Sequence, residues 1–128
     1  HCNQEVFLIM SKRGGEVIRA DDIEFVPVDW GRTKELVGLE TGRSELVQVK
    51  ITEYLPGYVH KKHVHPEQDE VIFVLSGQGY SETAAGRKRL EPNSVAVVPR
   101  GVEHATYNPE KETLRAIIIK SPPDQAHK

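Results

Sequence analysis

The sequence predicts an all-β fold, a sandwich or barrel of short strands, and three observations carry it. Apolar and polar residues alternate with a period of two: Val47, Val49 and Ile51 share one face of a segment whose other face is Gln48, Lys50 and Thr52. Turn signals rich in Gly, Pro and Asn recur at short intervals, as at Leu55-Pro56-Gly57, Gly77-Gln78-Gly79 and Pro99-Arg100-Gly101. No stretch shows the 3.6-residue apolar period of an amphipathic helix.

Taken in order, Val6–Met10 is a strand candidate, interrupted by Lys12-Arg13-Gly14-Gly15. Glu16–Arg19 and Ile23–Val28 read as short strands around Asp21-Asp22. Residues 29–33 form a loop carrying Trp30, which is expected to pack over one end of the fold. Strands follow at Lys34–Leu39 and, after a turn at 40–43, at Ser44–Tyr54, the half-buried segment above. His60–His65 is extended. In Glu70–Ser76, Glu70, Ile72 and Val74 alternate with Val71, Phe73 and Leu75, so apolar residues on both faces place this strand between two layers. Tyr80–Thr83, Lys88–Leu90, Val95–Val98, Glu103–Tyr107 and Thr113–Ile119 complete the pattern, and a polar tail follows from Ser121.

With 128 residues, 38% of them hydrophobic and 28% charged, the chain fits one globular domain, 1–128. Within it, 1–33 are N-terminal strands and loops, 34–120 the barrel and 121–128 the tail. A net charge of −2 and a pI near 6.3 argue against nucleic acid and anionic membranes as partners. No apolar run approaches the roughly 18–20 residues of a membrane span. Val6–Met10 is too short for the apolar core of a signal peptide, and Cys2 is the single cysteine, so the expected setting is a reducing cytoplasm. Cys2 is read as an inert terminal thiol. His1, standing where an initiator Met would, is read as a tag remnant or trimmed end.

The chemistry lies in Gly57–Gly77. On a strand, residues two apart point to one side, so His63 and His65 aim together, and Glu70 joins them after a turn at 66–68. His104 is the candidate fourth donor. Three imidazoles and one carboxylate suit one divalent first-row metal per chain (Mn, Fe, Ni, Cu, Co or Zn) and leave the site near +1, with coordination positions open.

Gly57-x5-His63-x-His65-x4-Glu70-x6-Gly77 and Asn93-x5-Pro99-x-Gly101-x2-His104-x3-Asn108 together resemble the two signature motifs of the cupin superfamily, G-x5-HxH-x3,4-E-x6-G and G-x5-PxG-x2-H-x3-N. One position departs: Asn93 stands where the family has glycine, and asparagine tolerates the left-handed backbone of such a turn. The resemblance implies a single cupin-type β-barrel, a double-stranded β-helix or jelly roll. It also implies a metal held by His63, His65, Glu70 and His104, and a range of activities covering dioxygenases, decarboxylases, isomerases and lyases.

Other residues are placed by parity. His60 has the opposite parity to His63 and is expected at the surface; Asp69 faces outward. Thr106 and Asn108 share the parity of His104 and line the cavity or orient ligands. Tyr54, Tyr58, Tyr80 and Tyr107 pack with exposed hydroxyls, and Arg100 sits where it can meet a substrate carboxylate. The functional expectation is a metal-dependent enzyme on a small, oxygen-rich anionic substrate, oxygen-dependent (dioxygenase-like) or of the enediolate isomerase/lyase type, with Glu70 also able to move a proton. The alternative is a non-catalytic binding or sensing module. A homodimer is expected, because Ser44–Tyr54 and Val71–Leu75 offer more apolar surface than one small barrel covers.

Overall fold

The computed structural model describes residues 14–125. A 3-10 turn at Ala20–Asp22 precedes ten strands: β1 Val26–Val28, β2 Gly31–Val37, β3 Gln48–Tyr54, β4 Val59–His63, β5 Asp69–Ser76, β6 Gly79–Thr83, β7 Gly86–Leu90, β8 Val95–Val98, β9 His104–Tyr107 and β10 Leu114–Ser121. They form a six-stranded sheet in the order β1-β2-β3-β10-β5-β8 and a four-stranded sheet in the order β4-β9-β6-β7. All pairings are antiparallel. This is the all-β jelly-roll architecture expected from the sequence.

Inside the six-stranded sheet, β10 supplies Leu114, Ala116 and Ile118 to the core. They meet Tyr54, Val74 and Leu90 in one cluster and Ile72 in another, with Trp30 and Ala96 packed against them. The turn before β8 is fixed by Asn93, the one described non-glycine residue with a left-handed backbone (φ 71°). Its N–H donates to the Val74 carbonyl at 2.9 Å, and the Val74 N–H donates to Ser94 O at 3.0 Å. Asparagine therefore does the work expected of glycine there.

Several expectations are corrected. Glu16–Arg19 is not a strand, and the Ile23–Val28 candidate contracts to β1, an edge strand whose Pro27 cannot donate a ladder bond. The loop at 29–33 is shorter than expected, because β2 already begins at Gly31. The Ser44–Tyr54 candidate starts only at Gln48: the Ser44 hydroxyl accepts the N–H groups of Leu46 and Val47, curling the chain into a turn first. Residues 121–125 pack back on the barrel, with Gln68 Nε2 donating to Pro122 O (2.9 Å) and Asp124 Oδ1 (2.8 Å). Val6–Met10 and Cys2 lie outside the described residues.

The faces of β3 and β5 are more instructive. In β3 it is the polar set, Gln48, Lys50 and Thr52, that shares the inner side with Ala116, Ile118 and Lys120 of β10. Val49 and Ile51 lie on the other side with Ile117 and Ile119, where Ile51 is itself buried at 6% exposure. In β5, Glu70, Ile72 and Val74 point in, whereas Val71 and Phe73 on the other side are half-buried and Leu75 is 38% exposed. Alternation identifies which residues share a face; the polar interior of this barrel reverses which face is inside.

Candidate metal centre

The four expected residues converge from both sheets. His63 ends β4, His104 opens β9 directly opposite it, and Glu70 is the second residue of β5. His65 lies beyond the end of β4, in the turn, and its position is set from the second motif: the Gly101 N–H donates to the His65 carbonyl at 2.9 Å. Gly101 has φ +82°, which a side chain rarely adopts, so the Pro99–Gly101 turn can reach that carbonyl.

One donor atom from each of His63, His65, Glu70 and His104 lies within 4.8 Å of the others. Glu70 Oε1 is 3.2 Å from His65 Nε2 and 3.3 Å from His104 Nε2. On the far side of each ring, His63 Nδ1 meets Lys61 O at 2.7 Å and His104 Nδ1 meets Val102 O at 3.0 Å. A carbonyl only accepts, so these contacts put the proton on Nδ1 and leave the Nε2 lone pairs facing the centre. His63 Nε2, His104 Nε2 and Glu70 Oε1 are buried with no well-formed hydrogen bond of their own. Inward lone pairs held together in this way are costly unless a cation satisfies them. The donor set therefore fits a divalent metal.

The electrostatics agree. Burial alone would raise the Glu70 carboxyl, but the His104 ring 3.3 Å away and the Lys120 charge hold it below the ordinary value. Burial draws His63 and His65 below the usual histidine range, favouring the neutral, ligating form. For His104, burial pulls the same way, but the Glu70 carboxylate 3.3 Å away and the Val102 carbonyl outweigh it and raise the pKa, so a metal there would compete with a proton.

A cavity of about 350 Å³ opens on His63, His65 and Glu70, with Trp30, Tyr54, His60 and Thr52 among its walls and Lys50 and Lys120 on one side. A larger depression of about 550 Å³, bordered by Gly77, Pro92 and Pro109, carries none of the four donors. Tyr54 is the one tyrosine of the four in the cavity; burial, then the Glu70 charge, raises its hydroxyl pKa. Tyr58 is exposed, and Tyr80 and Tyr107 face outward under the Arg87 guanidinium.

His60 is not the surface residue that parity predicts. A bulge between His60 and His63 shifts the β4–β9 register, so His60 pairs with Thr106 and both histidines face the interior. Its ring is sandwiched between Trp30 and His63, each centroid 4.2 Å away. Burial and the neighbouring His63 lower its pKa to about 4. Trp30 also stacks on Tyr54 at 4.9 Å, so the packing anchor expected from sequence doubles as a cavity wall.

Thr106 is buried on the inner side, but Asn108 is a strut rather than a cavity residue. It is fully buried, its Nδ2 donates to Tyr54 O (2.9 Å) and Glu112 O (2.8 Å), and its Oδ1 accepts from the Glu110 N–H. Asp69 faces outward as expected and takes up Arg100, whose N–H it accepts at 3.0 Å. Lys50 was legible only as the polar side of a strand, and Lys120 lies just past the expected end of the last strand at Ile119; nothing in the sequence says that either is inside. No helix among the described residues is long and apolar enough to cross a membrane.

Comparison with known proteins gives the same picture. The cupin domain model matches residues 50–120. Germin-like protein subfamily 2 member 4 of Arabidopsis thaliana is 32% identical over 96 residues, covering 71% of this chain and 42% of that protein. The chain spans about two fifths of the length of the curated relatives it matches. Among solved structures, KdgF from Halomonas sp. superposes with a TM-score of 0.76 at 20% identity, over 87% of this chain and 96% of that one. Ectoine synthase from P. lautus gives 0.75 at 14% identity, over 87% and 80%. Identities this low speak to the fold alone.

Proposed function

Since the chain belongs to the cupin family, on a domain match running over more than half of its residues, we propose that it is a metal-dependent enzyme acting on a small, oxygen-rich anionic molecule. The observation that carries this reading is the set of buried, unsatisfied atoms, His63 Nε2, His104 Nε2 and Glu70 Oε1, aimed at one point beside a cavity. His63, His65 and His104 would hold the metal through Nε2 and Glu70 through Oε1. A metal bound there supplies Lewis acidity, a lowered pKa for bound water and a template for two substrate oxygens.

The chain's own residues do the rest. Three neutral imidazoles and one carboxylate leave a divalent centre near +1, which favours an anionic chelating substrate. Trp30, Tyr54 and Ile118 give the cavity apolar walls that limit water around the bound molecule. Glu70 would be the residue that takes up or gives a proton to the substrate if its carboxylate loosens from the centre. The reaction type proposed is oxygen-dependent (dioxygenase-like) or an enediolate-type isomerisation or elimination. A homodimer, formed through the outer face of the six-stranded sheet, and a cytoplasmic setting are part of the same proposal.

The test is to load the purified chain with Mn, Fe, Co, Ni, Cu or Zn and offer 2-oxo acids, 2-hydroxy acids and sugar acids. Oxygen uptake and NMR of the products are followed with and without air. Metal-dependent turnover of an acid supports the proposal. Metal-dependent binding of the same acids with no turnover supports a binding module instead.

A further inference from the structure

Two ammonium groups share one wall of the cavity. Lys50 of β3 and Lys120 of β10 both line it, and the register explains why: Lys50 stands opposite Ile118, and Lys120 stands opposite Glu70 on one side and Gln48 on the other. The two charges feel each other. Burial, followed by the Lys120 charge, draws the Lys50 amine below its ordinary pKa.

Like charges in a half-buried site need anions, and the carboxylates around Lys50 are Asp124, Glu35 and Glu40. Two of them are engaged elsewhere. Asp124 pairs with Lys120 at 3.3 Å and accepts from Gln68 at 2.8 Å. Glu35 accepts from Gln48 Nε2 at 2.8 Å and from the Thr41 N–H at 2.9 Å. Glu40 is exposed. Among the described residues Lys50 donates no hydrogen bond and enters no ion pair; it stands between the metal cavity and a second depression lined by Glu35, Glu40 and Asp124.

We propose that Lys50, with Lys120 beside it, binds the second anionic group of a substrate whose other end chelates the metal at His63, His65, Glu70 and His104. The substrate class is thereby a small dianionic acid, such as a 2-hydroxy or 2-oxo dicarboxylate. This rests on the metal-enzyme reading above and narrows it. Lys50 lies two strands across and two residues along from Glu70, which places their Cα atoms about 12 Å apart from ordinary sheet spacings. Ile118, in the row between them, gives the substrate an apolar floor.

The experiment titrates the Mn(II)-loaded chain with 2-hydroxyglutarate and with 2-hydroxypentanoate, which share the chelating end and the carbon count but differ in the far carboxylate. Affinity is read by calorimetry and engagement of the metal by Mn(II) EPR. In the unmodified chain the dianion should bind at least ten-fold more tightly. Lys50→Met should erase that preference while leaving Mn stoichiometry and 2-hydroxypentanoate affinity in place, and Lys50→Arg should keep most of it. Equal affinities in the unmodified chain, or a preference that survives Lys50→Met, overturn the role of Lys50 while leaving a chelating substrate intact. If neither acid perturbs the Mn(II) spectrum, the underlying enzyme reading fails and this inference falls with it.

Discussion

The His60 imidazole lies face to face with the His63 imidazole, centroids 4.2 Å apart and planes 30° from parallel. Trp30 covers the opposite face of His60, and the Lys61 carbonyl holds His63 Nδ1. His63 is therefore held by a stack on its face and a hydrogen bond at its back, which reduces the motion it must lose on binding a metal. His60→Ala should weaken metal affinity about 2–10-fold, the size of one aromatic contact, without abolishing it. Competition against a chromophoric chelator measures this, and an unchanged affinity would show that the stack positions nothing.

Asn108 tests scaffold against site. Its amide ties the end of β3 to the β9–β10 connection through three hydrogen bonds at a fully buried position. Asn108→Ala should cost about 2–4 kcal/mol, because the carbonyls of Tyr54 and Glu112 are left unpaired. Metal content per folded chain should stay the same. Denaturant unfolding followed by elemental analysis of the folded fraction separates the two effects.

A pH dependence comes from Glu53. Burial alone would raise its carboxyl, but Arg32 and Arg115, each donating at 2.8 Å, hold it below the ordinary value. A depressed folded-state pKa contributes stability above the unfolded value of about 4.5, and that contribution is lost as pH falls through the folded value. Arg32 is half exposed, so water screens the pair and Glu53→Gln should cost only about 0.5–1 kcal/mol at pH 7. Urea midpoints of the two proteins should converge towards pH 3. A gap that persists there would contradict the linkage.

The proposed dimer uses the β5–β8 end of the outer face of the six-stranded sheet. Val97 is 70% exposed and Val95 50% exposed, beside Leu75 and the outward row of Phe73 and Ile117. An apolar sheet face of this kind is covered by a partner more often than left to water. Sedimentation equilibrium at micromolar concentration should give twice the chain mass of 14.4 kDa, and Val97→Lys should shift it to monomer. A monomeric unmodified chain would refute the dimer.

The cluster of His63, His65, Glu70 and His104 was legible because its residue types and spacing are restrictive, and the turn residues that bring it together were legible with it. Asn93 could be read as a left-handed position before its φ was known. What alternation could not deliver was direction. On β3 the apolar face looked like the core face, yet this barrel keeps polar side chains around its cavity, so Lys50 reads from the sequence only as part of a polar face. Parity also failed at His60, where the bulge in β4 adds a residue and returns the chain to the inner face. His65 joins the cluster for a different reason than strand parity, since the Gly101 turn, not β4, sets its place.

The central claim is that His63, His65, Glu70 and His104 hold a divalent metal. Elemental analysis of the purified chain, before and after stripping with a chelator and reloading, tests it most directly. About one equivalent per chain is expected, with most of it lost in His104→Ala. A chain that carries no metal and takes up none of the divalent ions offered would contradict the account.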